Sequence, residues 1–104
     1  MSAPVFRLHF SPAAQHDLVR LEDFLWQAGD PLGEGLFAFV LDGLRVLTHQ
    51  PGIGRPIEGG LRELIIRRGH SGYLARYQFD IERPLVRVLR IRHQREAGYA
   101  EGEI

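Results

Sequence analysis

The chain has 104 residues, of which 44% are hydrophobic, and its 13 basic side chains balance its 13 acidic ones. This length and composition predict one domain, 1–104, and no stretch approaches the roughly 18 apolar residues of a membrane span. The absence of cysteine excludes disulfides, thiolate metal ligands and a thiol nucleophile, and the N-terminus lacks a signal-peptide pattern, so we expect a cytoplasmic protein with no membrane partner.

The charges are distributed unevenly along the chain. Residues 1–54 carry three basic and six acidic side chains, a net charge of −3, whereas residues 55–95 carry ten arginines and four acids, a net charge of +6; the last nine residues add −3. Such asymmetry indicates that part of the surface binds an anionic or acidic partner. Every basic residue is arginine, whose planar fork suits phosphate and carboxylate, although a codon bias explains this composition equally well.

A strand and a helix are predicted at the start of the chain. Residues 5–10 alternate between apolar and polar side chains, which is typical of a strand. Ser11 and Pro12 then supply an N-cap and a proline at the first helical position, and the helix is expected to end at Gly29. Its predicted apolar stripe consists of Ala14, Leu18, Leu21 and Leu25.

A second helix follows after a short link. Asp30 and Pro31 repeat the cap-and-proline signal, but nearby glycines delay the regular helix to about Gly35. The short link predicts an antiparallel helical hairpin, in which Gly43 marks either a close approach between the helices or a merely tolerated glycine. The predicted buried face consists of Leu36, Val40, Leu44 and Leu47.

Three strands are predicted in the second half of the chain, at 61–67, 73–80 and 85–93, after a loop over 50–60 that lacks apolar periodicity. In the middle strand the odd positions from 73 to 79 are expected to face the core. In the last strand the odd positions Leu85, Leu89 and Ile91 are apolar. The even positions change from valine at 86 and 88 to arginine at 90 and 92. This pattern predicts a central strand that is covered on both faces at its start and open on one face at its end.

The order of these elements predicts an α+β fold, β-α-α-β-β-β, with the helical hairpin packed on one face of a small, mainly antiparallel sheet. Familiar cofactor motifs do not fit this chain. The segment GIGRPI lacks the third glycine of a dinucleotide fingerprint, and a Walker loop needs a lysine that the chain does not have. The five histidines show no metal-ligand spacing. We therefore expect neither a metal nor a cofactor.

Basic and proton-exchanging side chains are predicted to gather on the face of the sheet opposite the helices and where the last strand ends. Three interpretations remain open: a metal-free ribonuclease that uses them for acid–base chemistry and phosphate binding, a docking surface for an acidic peptide, or a solvated polar face without a specific partner. The candidate binding residues are Arg67, Arg76, Arg90 and Arg92, and the candidate catalytic residues, for the ribonuclease alone, are Arg76, His93, Arg95 and Tyr99.

Five segments in this order, FSPAAQHDL, HQPGIGRP, LRELII, GYLARYQF and VLRIRHQREAGY, resemble those of a toxin of the RelE/ParE superfamily. HQPGIGRP is typical of the ParE-like, plasmid-stabilisation branch. The resemblance implies the toxin half of a bacterial type II toxin–antitoxin module, which inhibits growth and is neutralised by a cognate antitoxin. It also implies one of two targets: DNA gyrase, which ParE-like toxins inhibit by binding, or mRNA in the ribosome, which RelE-like toxins cleave.

The ribonuclease pattern of the RelE-like branch is matched only in part. Arg67 can supply its basic residue late in the second strand. The arginine expected directly after Gly-Tyr is replaced by Leu74, and Arg76 lies two positions further on, a displacement of roughly 6–7 Å. Arg95 and Tyr99 match the C-terminal arginine and tyrosine with altered spacing, and His93 resembles the terminal histidine of some members. Together with the neutral net charge, these departures favour DNA gyrase over mRNA as the target.

Overall fold

Two α-helices on one face of a five-stranded sheet make up the part of the chain, residues 5–99, that this computed structural model describes. The elements are β1 (Arg7–Phe10), α1 (Pro12–Gln27), α2 (Leu36–Leu44), β2 (Arg55–Ile57), β3 (Leu61–Arg68), β4 (Ser71–Asp80) and β5 (Leu85–His93). Short 3-10 turns occupy Gly33–Gly35, Arg45–Thr48, Pro51–Ile53 and Glu58–Gly60. Neither α-helix within residues 5–99 is long and apolar enough to cross a membrane.

The sheet has the strand order β1-β5-β4-β3-β2. The first strand pairs in parallel with the last, and every other neighbouring pair is antiparallel. The predicted α+β class, the helical hairpin on one face and the central position of the last strand are therefore confirmed.

The first helix begins where the sequence predicts. The Ser11 hydroxyl accepts a hydrogen bond from the backbone N–H of Ala14 at 3.0 Å and donates one to the carbonyl of Leu89 at 2.8 Å. It therefore caps α1 and also ties the start of the helix to β5. Gly29, two residues after the helix, has a positive φ of 69°, a conformation that favours glycine.

The hydrophobic core lies between the two helices and the sheet. All of the predicted apolar positions of α1 and α2 are buried there, and they pack on alternate residues of the strands. Burying one such aliphatic side chain stabilises a fold by about 1.5–3 kcal/mol. The strand residues on this helix-facing side include Ile66, Tyr73, Ala75, Tyr77, Val86, Val88 and Ile91.

The interval 50–60, which was predicted to be a loop, contains the short strand β2. Periodicity does not show a strand of three residues, and its central Pro56 is tolerated because β2 lies at the edge of the sheet. Tyr77 holds the preceding turn: its hydroxyl donates to the Pro51 carbonyl at 2.7 Å and accepts from the Gly54 N–H at 2.8 Å. A Cβ on Gly54 would lie 2.5 Å from that hydroxyl oxygen, so this contact requires glycine.

Gly43 marks a close contact between α2 and the sheet, not the helix–helix approach that the hairpin suggested. A Cβ at this position would lie 2.6 Å from Cγ2 of Ile66 on β3. The missing side chain therefore lets the helix axis approach the sheet at this point.

A β-bulge in β5 overturns the face assignment made from residue parity. Arg76 on β4 pairs with Arg90, but the next residue, Tyr77, pairs with Val88, so Leu89 has no direct partner on β4. The extra residue reverses the parity, as bulges do. Val88 and Ile91 consequently share the core face, and the start of β5 is not covered on both faces because Arg87 is exposed.

Candidate functional site

The residues with candidate functional chemistry lie on two different sides of the sheet. We call the surface of β3, β4 and β5 that is turned away from the helices the open face. In an antiparallel pair, directly opposite residues share a face. Arg92 is opposite Leu74 and therefore lies on the open face, whereas His93 is opposite the core residue Tyr73 and lies on the helix side.

Three guanidinium groups surround the ring of Tyr99 on the open face. The Cζ atoms of Arg76, Arg90 and Arg92 lie 4.7, 4.8 and 5.6 Å from the ring centroid. These are cation–π distances, and Tyr99 itself is only 8% exposed. Burial raises the pKa of the Tyr99 phenol, an effect that the charge of Arg76 partly offsets. The phenol is therefore protonated at neutral pH. We call these four residues the arginine–tyrosine cluster.

Arg67 lies on the open face but away from the arginine–tyrosine cluster. It is opposite Gly72, whereas Arg76 is opposite Glu63. Four residues of β3 separate these positions, which is about 13 Å along the strand. Arg67 is exposed, so it extends the basic surface toward the end of β3 without joining the cluster.

Arg90 is buried, although the last strand was predicted to be open on one face at this end. Its Nε donates to Oδ2 of Asp17 at 2.8 Å and its Nη2 donates to Oδ1 at 3.0 Å. The same carboxylate accepts the backbone N–H of Ile91 at 2.9 Å. Both charged side chains are at most 3% exposed, so Arg90 joins α1 to the bulged part of β5.

Two acidic residues of this region were missed by the sequence interpretation. Asp17 lies on the apolar stripe of α1, three residues after Ala14 and four before Leu21, and this placement was the available signal for a buried carboxylate. Glu63 gave no such signal. It lies opposite Arg76 on the open face, is 9% exposed and forms an ion pair of 3.0 Å with Arg55.

A pocket of about 430 Å³ lies on the helix side, between the second half of α1 and the paired ends of β4 and β5. We call it the helix-side pocket. Leu21, Phe24 and Leu25 of α1 line one wall. His93 and Arg95 line the opposite side.

Two ion pairs form the polar rim of the helix-side pocket. Arg68 makes a bidentate contact with Asp30 at 2.6 and 2.8 Å, and Arg20 contacts Glu96 at 2.6 Å. The hydrogen bonds from Arg68, followed by that from the Leu32 N–H, lower the pKa of the Asp30 carboxyl from 3.8 to about 2. Asp30 is therefore ionised at neutral pH, and both acids of the rim are already paired.

His93 lies in this pocket as a neutral imidazole, and its Nε2–H is the ring group that can donate a hydrogen bond. Its Nδ1 accepts the backbone N–H of Arg95 at 3.1 Å, which places the ring proton on Nε2. Burial and the positive charge of Arg95 lower the pKa of the imidazole. The ring also packs edge-on against Tyr73, with the centroids 5.2 Å apart.

The four candidate catalytic residues are consequently divided between the two sides of the sheet. Arg76 and Tyr99 lie together in the arginine–tyrosine cluster, whereas His93 and Arg95 line the helix-side pocket. Within residues 5–99, no group of three or more His, Asp or Glu side chains is arranged to hold a metal ion.

A family model and two solved toxin–antitoxin structures match this chain. A family model described as the ParE toxin of the type II toxin–antitoxin system parDE matches residues 8–98. The chromosomal ParDE TA system from P. aeruginosa is similar in structure, with a TM-score of 0.69 and 22% identity over 86% of this chain and 96% of that chain. The toxin–antitoxin complex RelBE2 from Mycobacterium tuberculosis is also similar in structure, with a TM-score of 0.60 and 21% identity over 91% of this chain and 98% of that chain. No curated protein matches significantly.

Proposed function

Because this chain belongs to the ParE toxin family of type II toxin–antitoxin systems, we propose that it inhibits growth by binding DNA gyrase rather than by cleaving RNA. The observation that carries this proposal is the division of the candidate acid–base residues. Tyr99 lies on the open face, and His93 and Arg95 lie on the helix side. Ribonuclease chemistry requires a base, an acid and a phosphate-binding group within hydrogen-bond reach of one scissile phosphate.

The chemistry of Tyr99 also favours binding. Its burial keeps the phenol protonated, so it is a poor base at neutral pH. Arg90, the third cation over its ring, is held by Asp17 and is too buried to meet a phosphate. The partly exposed Arg76 and Arg92 of the cluster are thus suited to contact a protein surface through their charge, without transferring a proton.

We further propose that a cognate antitoxin covers the open face. The related ParDE and RelBE2 structures are named as toxin–antitoxin systems, and residues 55–95 of this chain have the net charge of +6 that an acidic segment would complement. A flexible acidic or amphipathic segment could order on binding there, beside Arg67, Arg76 and Arg92.

A supercoiling assay beside a ribosome-bound mRNA cleavage assay tests the target. Induction of the protein in bacteria is expected to stop growth with DNA-damage signalling, and the purified protein should block supercoiling by gyrase while leaving ribosome-bound mRNA intact. Tyr99→Phe keeps the ring under the guanidinium groups and should inhibit supercoiling as wild type does. Arg83→Ala, in the exposed turn before β5, is the matched control for the variants Arg76→Ala and Arg95→Ala.

The alternative, a RelE-like ribonuclease, predicts the opposite results. Translation would stop, mRNA would be cut at ribosomal A sites, and Arg76→Ala, Arg95→Ala or Tyr99→Phe would abolish the cutting. That outcome would overturn the gyrase proposal. If expression causes no growth defect and both assays are negative, the toxin activity itself is disproved.

A further inference from the structure

The helix-side pocket combines an apolar wall with an exposed aromatic ring. Leu21 and Leu25 are buried in the core at its base, but Phe24, which also lines it, is 67% exposed. A phenyl ring left in water beside a pocket of about 430 Å³ is a surface onto which another apolar group can be buried. None of the chemistry proposed for the open face uses this wall.

The acids of the pocket are already occupied by partners within the chain. Both oxygens of Asp30 accept from Arg68. Of the two oxygens of Glu96, Oε2 accepts from Arg20 at 2.6 Å and Oε1 accepts the backbone N–H of His93 at 2.8 Å. These carboxylates are therefore not available to pair with a further cation.

Among the described residues of the pocket, Arg95 is the arginine that forms no ion pair. Its side chain is exposed, and no carboxylate between residues 5 and 99 lies within ion-pair distance of it. The neighbouring His93 offers its Nε2–H as a second donor, because Nδ1 is already bonded to the Arg95 N–H. Within residues 5–99, a cation without an ion-pair partner and a neutral donor therefore lie side by side, across the pocket from the apolar wall.

The charge of the pocket selects the class of ligand. The three arginines and two carboxylates that line it within residues 5–99 have a net charge of +1. A single carboxylate neutralises that charge, whereas a phosphate monoester carries about −1.5 to −2 and would remain in excess. The apolar wall, which a small inorganic anion would leave exposed, favours a ligand that has a hydrophobic group beside its carboxylate.

We propose that the helix-side pocket binds a peptide segment of a partner protein in which an Asp or Glu lies close to a large apolar residue. The apolar side chain packs on Phe24 and the adjacent leucines, and the carboxylate pairs with Arg95 and accepts from His93. This docking site is separate from the open face and does not depend on the gyrase proposal.

Selection of displayed random peptides on the immobilised full-length protein tests the proposal. We expect the selected sequences to carry an Asp or Glu within four residues of Leu, Ile, Phe or Trp. A synthetic peptide made from such a sequence should bind at least tenfold more weakly to Arg95→Glu and to Phe24→Ser than to wild type. Exchanging its acid for the corresponding amide should weaken binding to wild type tenfold, about 1.4 kcal/mol, with little further effect on Arg95→Glu.

Matched controls separate this site from general charge and hydrophobicity. Arg87→Glu reverses the charge of an exposed arginine near the start of β5, and Ile81→Ser removes an exposed apolar side chain in the turn before β5. Both should bind the peptide as wild type does, and circular dichroism should show that all four variants are folded. Selected peptides that bind Arg95→Glu and Phe24→Ser undiminished, failure to select any peptide dependent on these residues, or displacement of the peptide by millimolar inorganic phosphate would each overturn the proposal.

Discussion

At the scale of single residues, the buried pair of Asp17 and Arg90 determines how α1 meets β5. Beyond Val88 the edge of β5 has no neighbouring strand, because β1 ends at Phe10. The Asp17 carboxylate instead accepts the Ile91 N–H and holds the Arg90 guanidinium. One side chain thus satisfies an edge N–H that would otherwise lack a partner and also neutralises a buried charge.

Arg90→Met is expected to lower the free energy of unfolding by about 3–5 kcal/mol, because the buried Asp17 carboxylate would lose both hydrogen bonds from Arg90 and keep, of its two cationic partners, only Arg20 at 3.7 Å. Urea denaturation measures the change. Arg87→Met, an exposed arginine on the same strand, is the control and should change stability by less than about 0.5 kcal/mol. Equal stability of the two variants would show that the Asp17 carboxylate does not need Arg90.

Asp30 predicts a second residue-scale effect, on acid stability. Its pKa is about 2 in the folded protein, against an ordinary value of 3.8 for an aspartate side chain, so folding stabilises its charged form. This stabilisation is fully present above about pH 4 and is lost as the pH falls toward 2. Asp30→Asn should therefore be less stable at neutral pH and should lose less stability than wild type between pH 4 and 2.

Urea midpoints measured from pH 2 to pH 6 test this expectation for Asp30. Asp42→Asn, which removes an exposed carboxylate of α2, is the control and should retain the wild-type profile. Parallel profiles for wild type and Asp30→Asn would contradict an ion pair with Arg68 that persists in solution.

At the scale of elements, the distance between α2 and the sheet depends on Gly43. Gly43→Ala gains about 1 kcal/mol of helix propensity but places a Cβ 2.6 Å from Ile66 Cγ2, in a buried contact that cannot yield without moving the helix. Overpacking of this kind costs about 1–3 kcal/mol, so we expect a net loss of stability or none at best. A variant more stable than wild type in thermal unfolding would show that α2 can move away from β3.

Gly35→Ala is the matched control for this prediction. Nothing lies within 4 Å of a Cβ built at Gly35, and its φ of −107° suits any residue. Its thermal midpoint should therefore remain close to that of wild type.

The elements with local signals were predicted closely, whereas the bulge in β5 was not. The predicted bounds 85–93 of the last strand match Leu85–His93, and the Ser11 cap and the second helix start were also found as expected. The faces of β5 were wrong because a bulge depends on pairing with Tyr77 and on contacts from Ser11 and Asp17, none of which is local in sequence. Arg90 and Arg92 lie on the open face as predicted, whereas Val86 and Val88, which have the same parity, lie on the core face.

At the scale of the whole molecule, the sheet is completed by its first and last strands. Because β1 pairs with β5, the complete sheet forms only when segments from the beginning and the end of the described chain meet. Folding therefore includes the formation of contacts between residues far apart in sequence. The strands β3, β4 and β5 each have neighbours on both sides. On one side, however, β3 pairs only with β2, a three-residue strand at the edge of the sheet. Resistance to local opening should follow this order.

Native-state amide hydrogen exchange is expected to be slowest in β4 and β5 and fastest in β2. Mass spectrometry or NMR under native conditions measures the protection of each strand. β3 provides the internal comparison, since it lies between β4 and β2 in the sheet. Protection of the β2 amides equal to that of β4 would show that the sheet opens as one unit.

The sequence by itself determined the order of the elements apart from β2, the helical hairpin, the α+β class and the resemblance to RelE/ParE toxins, which the family match confirms. Caps, apolar periodicity and turn residues carry that information within a few neighbouring positions. Only the tertiary structure decided that Tyr99 joins Arg76 while His93 joins the helix-side pocket, and that Asp17 buries Arg90. Those contacts are set by strand register, by one bulge and by the hydrogen bond from the Ile91 N–H at the edge of β5 to Asp17 of α1. Each of these features depends on residues far apart in the chain.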